Sequence, residues 1–593
     1  MKKALICAML MASSAIGARA SESTNDSLYL FSYASDNING NGGLRLAWSA
    51  DGKMWHKIGG GYDFVKSDYG AWGSGKRMFD PVLERQKGGM WVCSWLVKKD
   101  GSVMALTESR DLLLWKPQDY MSARVMMGPN RNVPRDTVAF NDGTRATGRV
   151  HRVEKQVVEN VIAEYERRQY RTARNNELMK DDKARFAGLG KVTVTVTPRP
   201  QDQKAISPDL FGVFFEDINY AADGGLYAEL VQNRGFEYSD TDHPRHEGWG
   251  PAYAWRTYGG AALSFDTANP IHANNAHYAV LDVSKPGDAM ANTGFDGIAV
   301  KQGDTYLLSL FGRMVEGNGR RVRVALRTKD GREIGSAAVT LPRDGWRRLD
   351  AKIKATETAA DAELAIMPEA AGRYAFDMVS LFPKDTYKGR RNGLRRDLAE
   401  AIANLKPRFV RFPGGCVAHG NGIQNIYRWK NTVGPLESRK GMANIWRYHQ
   451  SVGLGFYEYF QFCEDMGAEP LPVLAAGVPC QNSSWGGDGQ QGGIPLGKEM
   501  DEYIQDVLDL IEWANGDKTT KWGRVRAEAG HPKPFNLKYV GIGNEDLISE
   551  VFKERFKLIY DAVKAKYPDI TVIGTVGPFY EGSDYEYGWQ FAK

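Results

Sequence analysis

Strands and helices alternate over the last third of this chain, and that alternation constrains its fold most. Predicted strands lie at RFVRF (408–412), PLPVLAA (470–476), KYVGIG (538–543) and ITVIGT (570–575). Segments of helical period lie at 391–405, 443–466, 499–514 and 549–566. Strands joined through helices pair in parallel, because a parallel pair needs a long crossover connection. The pattern therefore predicts successive βα units around a parallel sheet.

A further strand is predicted far upstream, at LFGVFFEDI (210–218), followed by a helix around Leu226 to Asn233. Each predicted strand ends in a polar or glycine-rich loop, which is typical of the catalytic face of a (β/α)₈ TIM barrel. We therefore expect a multidomain fold whose barrel occupies 191–241 and 386–593, is interrupted after its first strand, and is incomplete at the C-terminus.

The interrupting segment, residues 242–385, is rich in alternating apolar and polar residues and predicts a β-sandwich. Its length and rhythm resemble the jelly-roll carbohydrate-binding modules of family 4. Trp249, Trp255 and Tyr258 are candidate sugar platforms in such a module, although core packing is the favoured role for each.

The N-terminal part divides into three segments. Residues 1–20 have the basic start, short apolar run and small-residue cleavage site of a secretory signal, which predicts a periplasmic or secreted protein. Residues 27–120 are β-rich, and the parallel phrases AWSADGKMW and LTESRDLLLW resemble blades of the family 43 propellers. Asp80 resembles an active-site residue of those propellers, but a structural role is favoured. Residues 150–190 predict a helical linker, and KVTVTVTPRP (191–200) predicts a strand.

Composition excludes several partner classes. The net charge is only +5 over 593 residues, without a long Lys/Arg run, so we expect no nucleic-acid partner. No apolar stretch reaches the length of a membrane span, so we expect no membrane insertion. Four cysteines follow the signal, at irregular spacing (Cys93, Cys416, Cys463 and Cys480), so neither a metal site nor a cofactor is predicted.

The segment KYVGIGNED (538–546) carries the clearest chemistry. An apolar strand delivers Asn544 and Glu545 at its C-terminal end, where barrel enzymes place their catalytic groups. A carboxyl there can protonate a glycosidic oxygen and then activate water, while the adjacent amide can bond a sugar hydroxyl. The position therefore predicts a glycoside hydrolase.

Several ordered segments resemble glycoside hydrolase family 51, the retaining α-L-arabinofuranosidases. They are ISPDLFGVFFEDINYAADGGLYAELVQNRGFE (206–237), RFVRFPGGC (408–416), WKNTVGP (429–435), EPLPVLAAGVP (469–479), IEWANG (511–516) and KWGRVRAEAGHPKPFNLKYVGIGNE (521–545). The resemblance runs from residue 187 to the end. It implies release of α-L-arabinofuranosyl residues from arabinan, arabinoxylan or related oligosaccharides, and it allows a homo-oligomer.

The resemblance also implies roles for individual residues. Glu545 would be the general acid/base, and Asn544 would bond the sugar 2-hydroxyl. Glu216 in FFED would hold arabinose hydroxyls, and Cys416 in FPGGC would lie against the bound sugar. Arg411 would line the site and steer Glu216 or the acid, with a structural ion pair as its alternative role.

A retaining mechanism needs a second carboxylate about 5–5.5 Å from the first. The family places it on a late strand, and the later acids Glu581, Asp584 and Glu586 do not match its motif. We therefore expect the nucleophile outside this chain, which would then be truncated and inactive alone. Two alternatives stay open: another retaining barrel glycosidase, such as an endoglucanase or xylosidase, and an inactive carbohydrate-binding fragment.

Overall fold

A computed structural model describes residues 27–34, 43–60, 62–67, 78–97, 103–116, 118–122, 134–244, 246–481, 483, 492–578 and 583–593. The predicted signal at 1–20 lies outside these ranges. The chain divides into two compact units, one of residues 1–68 and 75–195 and one of residues 69–74 and 196–593. Each is described by itself.

The first unit contains two antiparallel sheets. Its strands are β1 Ser27–Ala34, β2 Leu44–Ser49, β3 His56–Lys57, β4 Phe79–Arg85, β5 Trp91–Leu96, β6 Val103–Ser109, β7 Asp119–Ser122, β8 Asp136–Ala139 and β9 Arg145–Glu154. One sheet has the order β3-β2-β1-β9-β8 and the other β4-β5-β6-β7. Phe31, Trp55 and Phe140 pack together in the core of the first sheet. Two such sheets do not establish a propeller, so that resemblance stays a prediction.

The segment 150–190, expected to be a helical linker, contains two helices. Helix α1 covers Lys155–Asn175, and a single turn, α2, covers Asp182–Arg185. Asp80, a candidate propeller acid, forms an ion pair with Arg135, which agrees with the structural role favoured from the sequence.

The strand predicted at 191–200 is wrong. Residues 191–199 adopt no regular structure, and Val192, Val194 and Val196 are 78%, 76% and 82% exposed. Alternation alone cannot make a strand, because a strand is stabilised by a neighbouring ladder and a buried face. No described strand pairs with this segment.

The second unit begins its parallel sheet with β10 Val213–Phe214 and then forms the predicted β-sandwich. The sandwich strands are β11 Trp255–Tyr258, β12 Ala262–Asp266, β13 Tyr278–Val283, β14 Ala289–Asn292, β15 Ile298–Val300, β16 Thr305–Gly317, β17 Arg321–Arg327, β18 Glu333–Thr340, β19 Arg347–Lys354, β20 Ala359–Pro368 and β21 Gly372–Pro383. One sheet runs β11-β14-β20-β17-β18 with β15 against β20, and the other runs β12-β13-β21-β16-β19. Buried Leu281, Leu308, Val324, Leu364 and Phe376 belong to one core.

The candidate platform residues of the sandwich lie largely inside the protein. Trp249 and Trp255 are 5% and 7% exposed, and the ring of Trp255 packs against Phe236. Tyr258 donates its hydroxyl to Glu363 (2.7 Å). Structural roles therefore account for these aromatics, as the sequence favoured.

After the sandwich the chain returns to the parallel sheet, whose order is β10-β22-β25-β26-β27. The remaining strands are β22 Phe409–Phe412, the hairpin β23 Met442–Asn444 and β24 Tyr448–Gln450, β25 Glu469–Leu474, β26 Tyr539–Ile542 and β27 Thr571–Ile573. Parallel register is set by the pairs Val213–Val410, Arg411–Leu471, Val473–Gly541 and Val540–Val572. The five predicted parallel strands are thus confirmed, while a closed eight-stranded barrel stays a prediction.

Helices connect these strands. They are α3 Arg396–Asn404, α4 Cys416–His419, α5 Phe456–Met466, α6 Lys498–Asn515, α7 Lys521–Glu528, α8 Glu550–Lys566 and α9 Ser583–Ala592. Apolar side chains of α5, α6 and α8, such as Phe460, Leu510 and Ile559, are buried in the same core as Val410 and Ile542. Among the described residues, no helix has the length and apolar character needed to cross a bilayer.

Two helix predictions are wrong. Residues 226–233 form no α-helix, because their backbone donors bond outward: Ala228 to Gly393 (3.1 Å) and Leu230 to Leu381 in the sandwich (2.9 Å). The helix predicted over 443–466 begins only at Phe456, because residues 442–450 form the β23–β24 hairpin. Tertiary hydrogen bonds outweigh the local periodicity in both places.

Candidate active site

The predicted site residues follow neighbouring strands of the parallel sheet. Glu216 follows β10, Arg411 lies in β22, Cys416 begins α4 directly after β22, and Asn544 and Glu545 follow β26. The carboxyl ends of parallel strands meet at one edge of the sheet, so five residues distant in sequence are brought together.

Glu216 is held by the glycine-rich loop after β22. Its Oε1 accepts hydrogen bonds from the backbone N–H groups of Gly415 (3.0 Å) and Val417 (3.1 Å). A Cβ at Gly415 would lie 2.6 Å from Asn544 Oδ1. Glycine is therefore needed here so that Glu216 and Asn544 can approach opposite sides of one backbone segment.

Arg411 sets the orientation of the Asn544 amide. Arg411 Nη2 donates to Asn544 Oδ1 at 2.7 Å, and its guanidinium lies 4.5 Å from the ring centre of Phe214. Because the amide oxygen is occupied by a cationic donor, Nδ2 is left as the donor that the side chain presents. The steering role predicted for Arg411 thus acts on Asn544, and this contact was not anticipated.

Arg411 interacts electrostatically with three neighbouring side chains. Burial lowers the pKa of Arg411, and the negative charge of Glu216, Glu545 and Cys416 opposes that shift. Arg411 therefore lies within electrostatic range of all three side chains.

Glu545 is exposed at the end of its strand, and its backbone has φ +48°. A glutamate in that region is strained and persists only where its neighbours fix it. The backbone N–H of Asn544 donates to His419 Nε2 (3.0 Å) and to Asp546 Oδ2 (2.9 Å). Both His419 and Asp546 are fully buried. These buried contacts fix the turn that presents Glu545.

Gln481 contacts the candidate acid directly. Its Nε2 donates to Glu545 Oε2 at 3.1 Å, and its own Oε1 accepts from Cys480 Sγ at 3.2 Å. Sequence reasoning missed Gln481, His419 and Asp546. The position of Asp546, directly after Glu545, was the one signal available for these three.

Asp217, next to Glu216, anchors a second wall of the site. Its backbone carbonyl accepts from Asn444 Nδ2 (2.8 Å) and from the Tyr448 hydroxyl (2.7 Å). Complete burial, reinforced by the negative charge of Asp223, raises the pKa of Asp217 to about 7. The hairpin β23–β24 thereby fixes the turn that follows Glu216.

Cys416 is buried at the start of α4, beside Gly415, whose N–H holds Glu216. Within the described ranges, no group of three or more His, Cys, Asp or Glu side chains is arranged to hold a metal ion. The edge of the sheet thus combines two carboxylates, an oriented amide and a cation. That set can bind a polyhydroxylated ring and exchange a proton with it.

Two segments of the chain match family models. Residues 401–586 match the model described as alpha-L-arabinofuranosidase 1 domain, and residues 228–372 match a carbohydrate binding domain. The first match contains Arg411, Cys416, Asn544 and Glu545, and the second contains most of the sandwich.

Two similar proteins are named α-L-arabinofuranosidases. An extracellular exo-alpha-L-arabinofuranosidase of Streptomyces chartreusis is 43% identical over 413 residues, which cover 68% of this chain and 48% of that protein. Alpha-L-arabinofuranosidase 1 of Arabidopsis thaliana is 35% identical over 412 residues, covering 66% and 58%. The chain thus spans about half the length of these relatives.

A solved structure agrees in fold. The arabinose-bound GH51 α-L-arabinofuranosidase MgGH51 has 32% identity and a TM-score of 0.55, covering 62% of this chain and 58% of its own. Over the matched residues, the chain is therefore similar in sequence and fold to the GH51 α-L-arabinofuranosidases, with a segment similar to carbohydrate-binding domains.

Proposed function

We propose that the protein is a retaining α-L-arabinofuranosidase that releases terminal α-L-arabinofuranosyl residues from arabinan, arabinoxylan or related oligosaccharides. The observation that carries the proposal is the pair Asn544–Glu545 at the carboxyl end of β26, with Arg411 donating to Asn544 Oδ1 at 2.7 Å. Similarity to the Streptomyces and Arabidopsis α-L-arabinofuranosidases supports the sugar and its linkage.

In the first half-reaction Glu545 acts as general acid. Its carboxyl proton passes to the glycosidic oxygen while the bond from that oxygen to C1 breaks. Asn544 Nδ2 donates to the 2-hydroxyl, and this contact strengthens as charge develops on the ring. Glu216, fixed by two backbone N–H groups, accepts from further hydroxyls, and Cys416 lies against the sugar.

In the second half-reaction Glu545 acts as general base toward water. Exposure of its side chain gives water access, and the neutral donor Gln481 orients the carboxylate at 3.1 Å. Retention also requires a carboxylate nucleophile about 5–5.5 Å away. Our proposal assigns that nucleophile to none of the described side chains. Those of Glu581, Asp584 and Glu586 lie outside the described part.

A secreted or periplasmic location is part of the proposal, because residues 1–20 have the pattern of a signal and the Streptomyces relative is extracellular. The polymer substrates of such enzymes lie outside the cell.

A panel of 4-nitrophenyl glycosides tests the activity. We expect the protein, in a form that supplies the carboxylate nucleophile, to cleave the α-L-arabinofuranoside with kcat/KM at least about a hundredfold above the β-D-xyloside and β-D-glucoside, a difference of about 2.7 kcal/mol in transition-state binding. ¹H NMR of the first-formed sugar should show the α-anomer. Preference for a β-glycoside would favour the endoglucanase or xylosidase alternative, and binding to arabinan without turnover would favour a binding fragment.

A further inference from the structure

A second cavity lies away from the candidate active site. Its volume is about 760 Å³, and it lies between the sandwich strands β16, β19 and β21 and the barrel elements α5, α7 and the 434–439 loop. None of Glu216, Arg411, Cys416, Asn544 or Glu545 lines it. Its volume falls within the range of about 300–1,000 Å³ that is typical of small-ligand sites, which occur preferentially at domain interfaces. We call it the sandwich–barrel cavity.

Its walls combine apolar surface with fixed polar groups. Leu307, Phe382 and Val525 contribute apolar side chains, and Tyr457 contributes a half-buried ring. Flat rings and apolar walls suit the C–H faces of sugars, since both are apolar.

Two ion pairs lie at this cavity. Arg391 Nη2 contacts Oδ1 of the sandwich residue Asp350 at 2.6 Å, and both side chains are exposed. On the barrel side, buried Arg439 and Glu458 pair at 2.8 Å. Arg439 and Glu458 bond each other and nearby backbone groups. The exposed pair Arg391–Asp350 is therefore the one whose guanidinium and carboxylate can hydrogen-bond adjacent hydroxyls.

The charges around the cavity balance. Four cationic side chains line it (Arg348, Lys352, Arg391 and Arg439), and so do four anionic ones (Asp350, Glu437, Glu458 and Glu528). A lining of this kind has no net field that would select a phosphate or a polycation, so it favours a neutral ligand rich in hydrogen-bonding groups.

We propose that the sandwich–barrel cavity is a saccharide-binding site built jointly by the sandwich and the barrel. The Tyr457 ring lies along the C–H face of one sugar unit, while Arg391 and Asp350 bond its neighbouring hydroxyls. Strands β16 and β19 fall within the segment 228–372 that matches a carbohydrate-binding domain. Only the identity of the sugar rests on the proposed function.

The test measures by calorimetry the binding of arabinotriose and xylotriose to the whole protein carrying Glu216→Ala and Asn544→Ala. These two substitutions weaken saccharide binding at the candidate active site. We expect one of the two probes to bind this background at a single site. Adding Ala529→Trp, which places a large ring at an exposed lining position, should weaken that binding at least about tenfold, or 1.4 kcal/mol. Arg391→Ala should weaken it about threefold to tenfold.

Arg321→Ala is the matched control, because it removes a similarly exposed sandwich ion pair, Arg321–Glu369 (3.1 Å), that is not part of the cavity. It should leave binding unchanged. Absence of saccharide binding to the background, or binding that both Ala529→Trp and Arg391→Ala leave intact in folded protein, overturns the proposal. Because the readout is binding, failure of the aryl-glycoside assay would count against the proposed hydrolase activity and leave this result standing.

Discussion

Two glutamates, one in each half of the second unit, differ in their exposure and in the charge of the groups that donate hydrogen bonds to them. Glu363 in the sandwich is 3% exposed, and its Oε2 accepts from Arg256 Nε at 2.9 Å and from the Tyr258 hydroxyl at 2.7 Å. Glu545, after strand β26, is exposed and accepts from the neutral amide of Gln481. The guanidinium of Arg411 bonds the adjacent residue, Asn544.

The difference is the one we expect between a structural acid, Glu363, and the proposed general acid/base, Glu545. A carboxylate bonded directly to a guanidinium is kept ionised, because protonation would lose a charge-assisted hydrogen bond. A general acid/base must hold and release a proton in each cycle, so a neutral partner suits it better.

The largest effect is expected from Glu545→Gln in the active protein. Hydrolysis of arabino-oligosaccharides should fall about 10²–10⁴-fold, because their poor leaving group needs protonation. With an activated aryl arabinofuranoside, the rate of the first step should fall less. With that substrate, azide should restore turnover of Glu545→Ala by attacking C1 of the glycosyl-enzyme and displacing the enzyme carboxylate, which gives an α-configured azide.

Glu363→Gln is the matched change in the sandwich. Turnover per folded molecule should stay at the wild-type value, measured with the same substrates after the folded fraction is determined by circular dichroism. Equal loss on both substrate types for Glu545→Gln would remove the basis for assigning Glu545 as acid/base.

Gly415→Ala should lower kcat/KM by about tenfold to a hundredfold. The added Cβ would lie 2.6 Å from Asn544 Oδ1, and a displacement of about 1 Å in a positioning group can cost a hundredfold. Initial rates on the aryl arabinofuranoside measure the effect. Gly250→Ala is the control, since a Cβ there meets nothing within 4 Å. Similar rates for both variants would show that Asn544 needs no such space.

Arg256→Ala should destabilise the sandwich by about 2 kcal/mol, because it leaves the buried Glu363 carboxylate without its charged partner. Differential scanning calorimetry measures the change in the free energy of unfolding. Arg321→Ala, which removes an exposed ion pair, should cost less than about 1 kcal/mol. If both variants melt alike, Glu363 does not depend on its cation.

A pH dependence of the free energy of unfolding is expected from Asp217. Its folded-state pKa is raised from 3.8 to about 7, so between these values the folded protein holds a proton that the unfolded chain releases. This contribution to the free energy of unfolding therefore falls as pH rises from about 4 to about 7. Asp217→Asn should flatten the dependence of the melting temperature on pH in that window. Asp282→Asn, which alters an exposed ion pair with Arg373, should leave that pH dependence unchanged. An unaltered slope in Asp217→Asn would refute the raised pKa of Asp217.

Much of the architecture was predictable from local patterns. The strands at 408–412 and 538–543 are short apolar runs ending in glycine or polar residues, and the structure has β22 and β26 there. Asn544 and Glu545 were expected at the site from their position at a strand end, whereas Glu216, Arg411 and Cys416 were expected from the resemblance to family 51; the parallel register brings these residues together. Hydrophobic period and strand-end chemistry are local properties, so a sequence displays them directly.

What the sequence could not decide were the contacts between distant segments. The alternation at 191–200 is as clear as that of β16, yet β16 lies between two partner strands and 191–200 has no described one. Gln481 reaches Glu545 across 64 positions, and Arg411 reaches Asn544 across 133. The sequence alone therefore determined which residues end the strands. The tertiary structure decided what each one contacts, because the partners of hydrogen bonds and sheet ladders depend on which segments the fold makes neighbours.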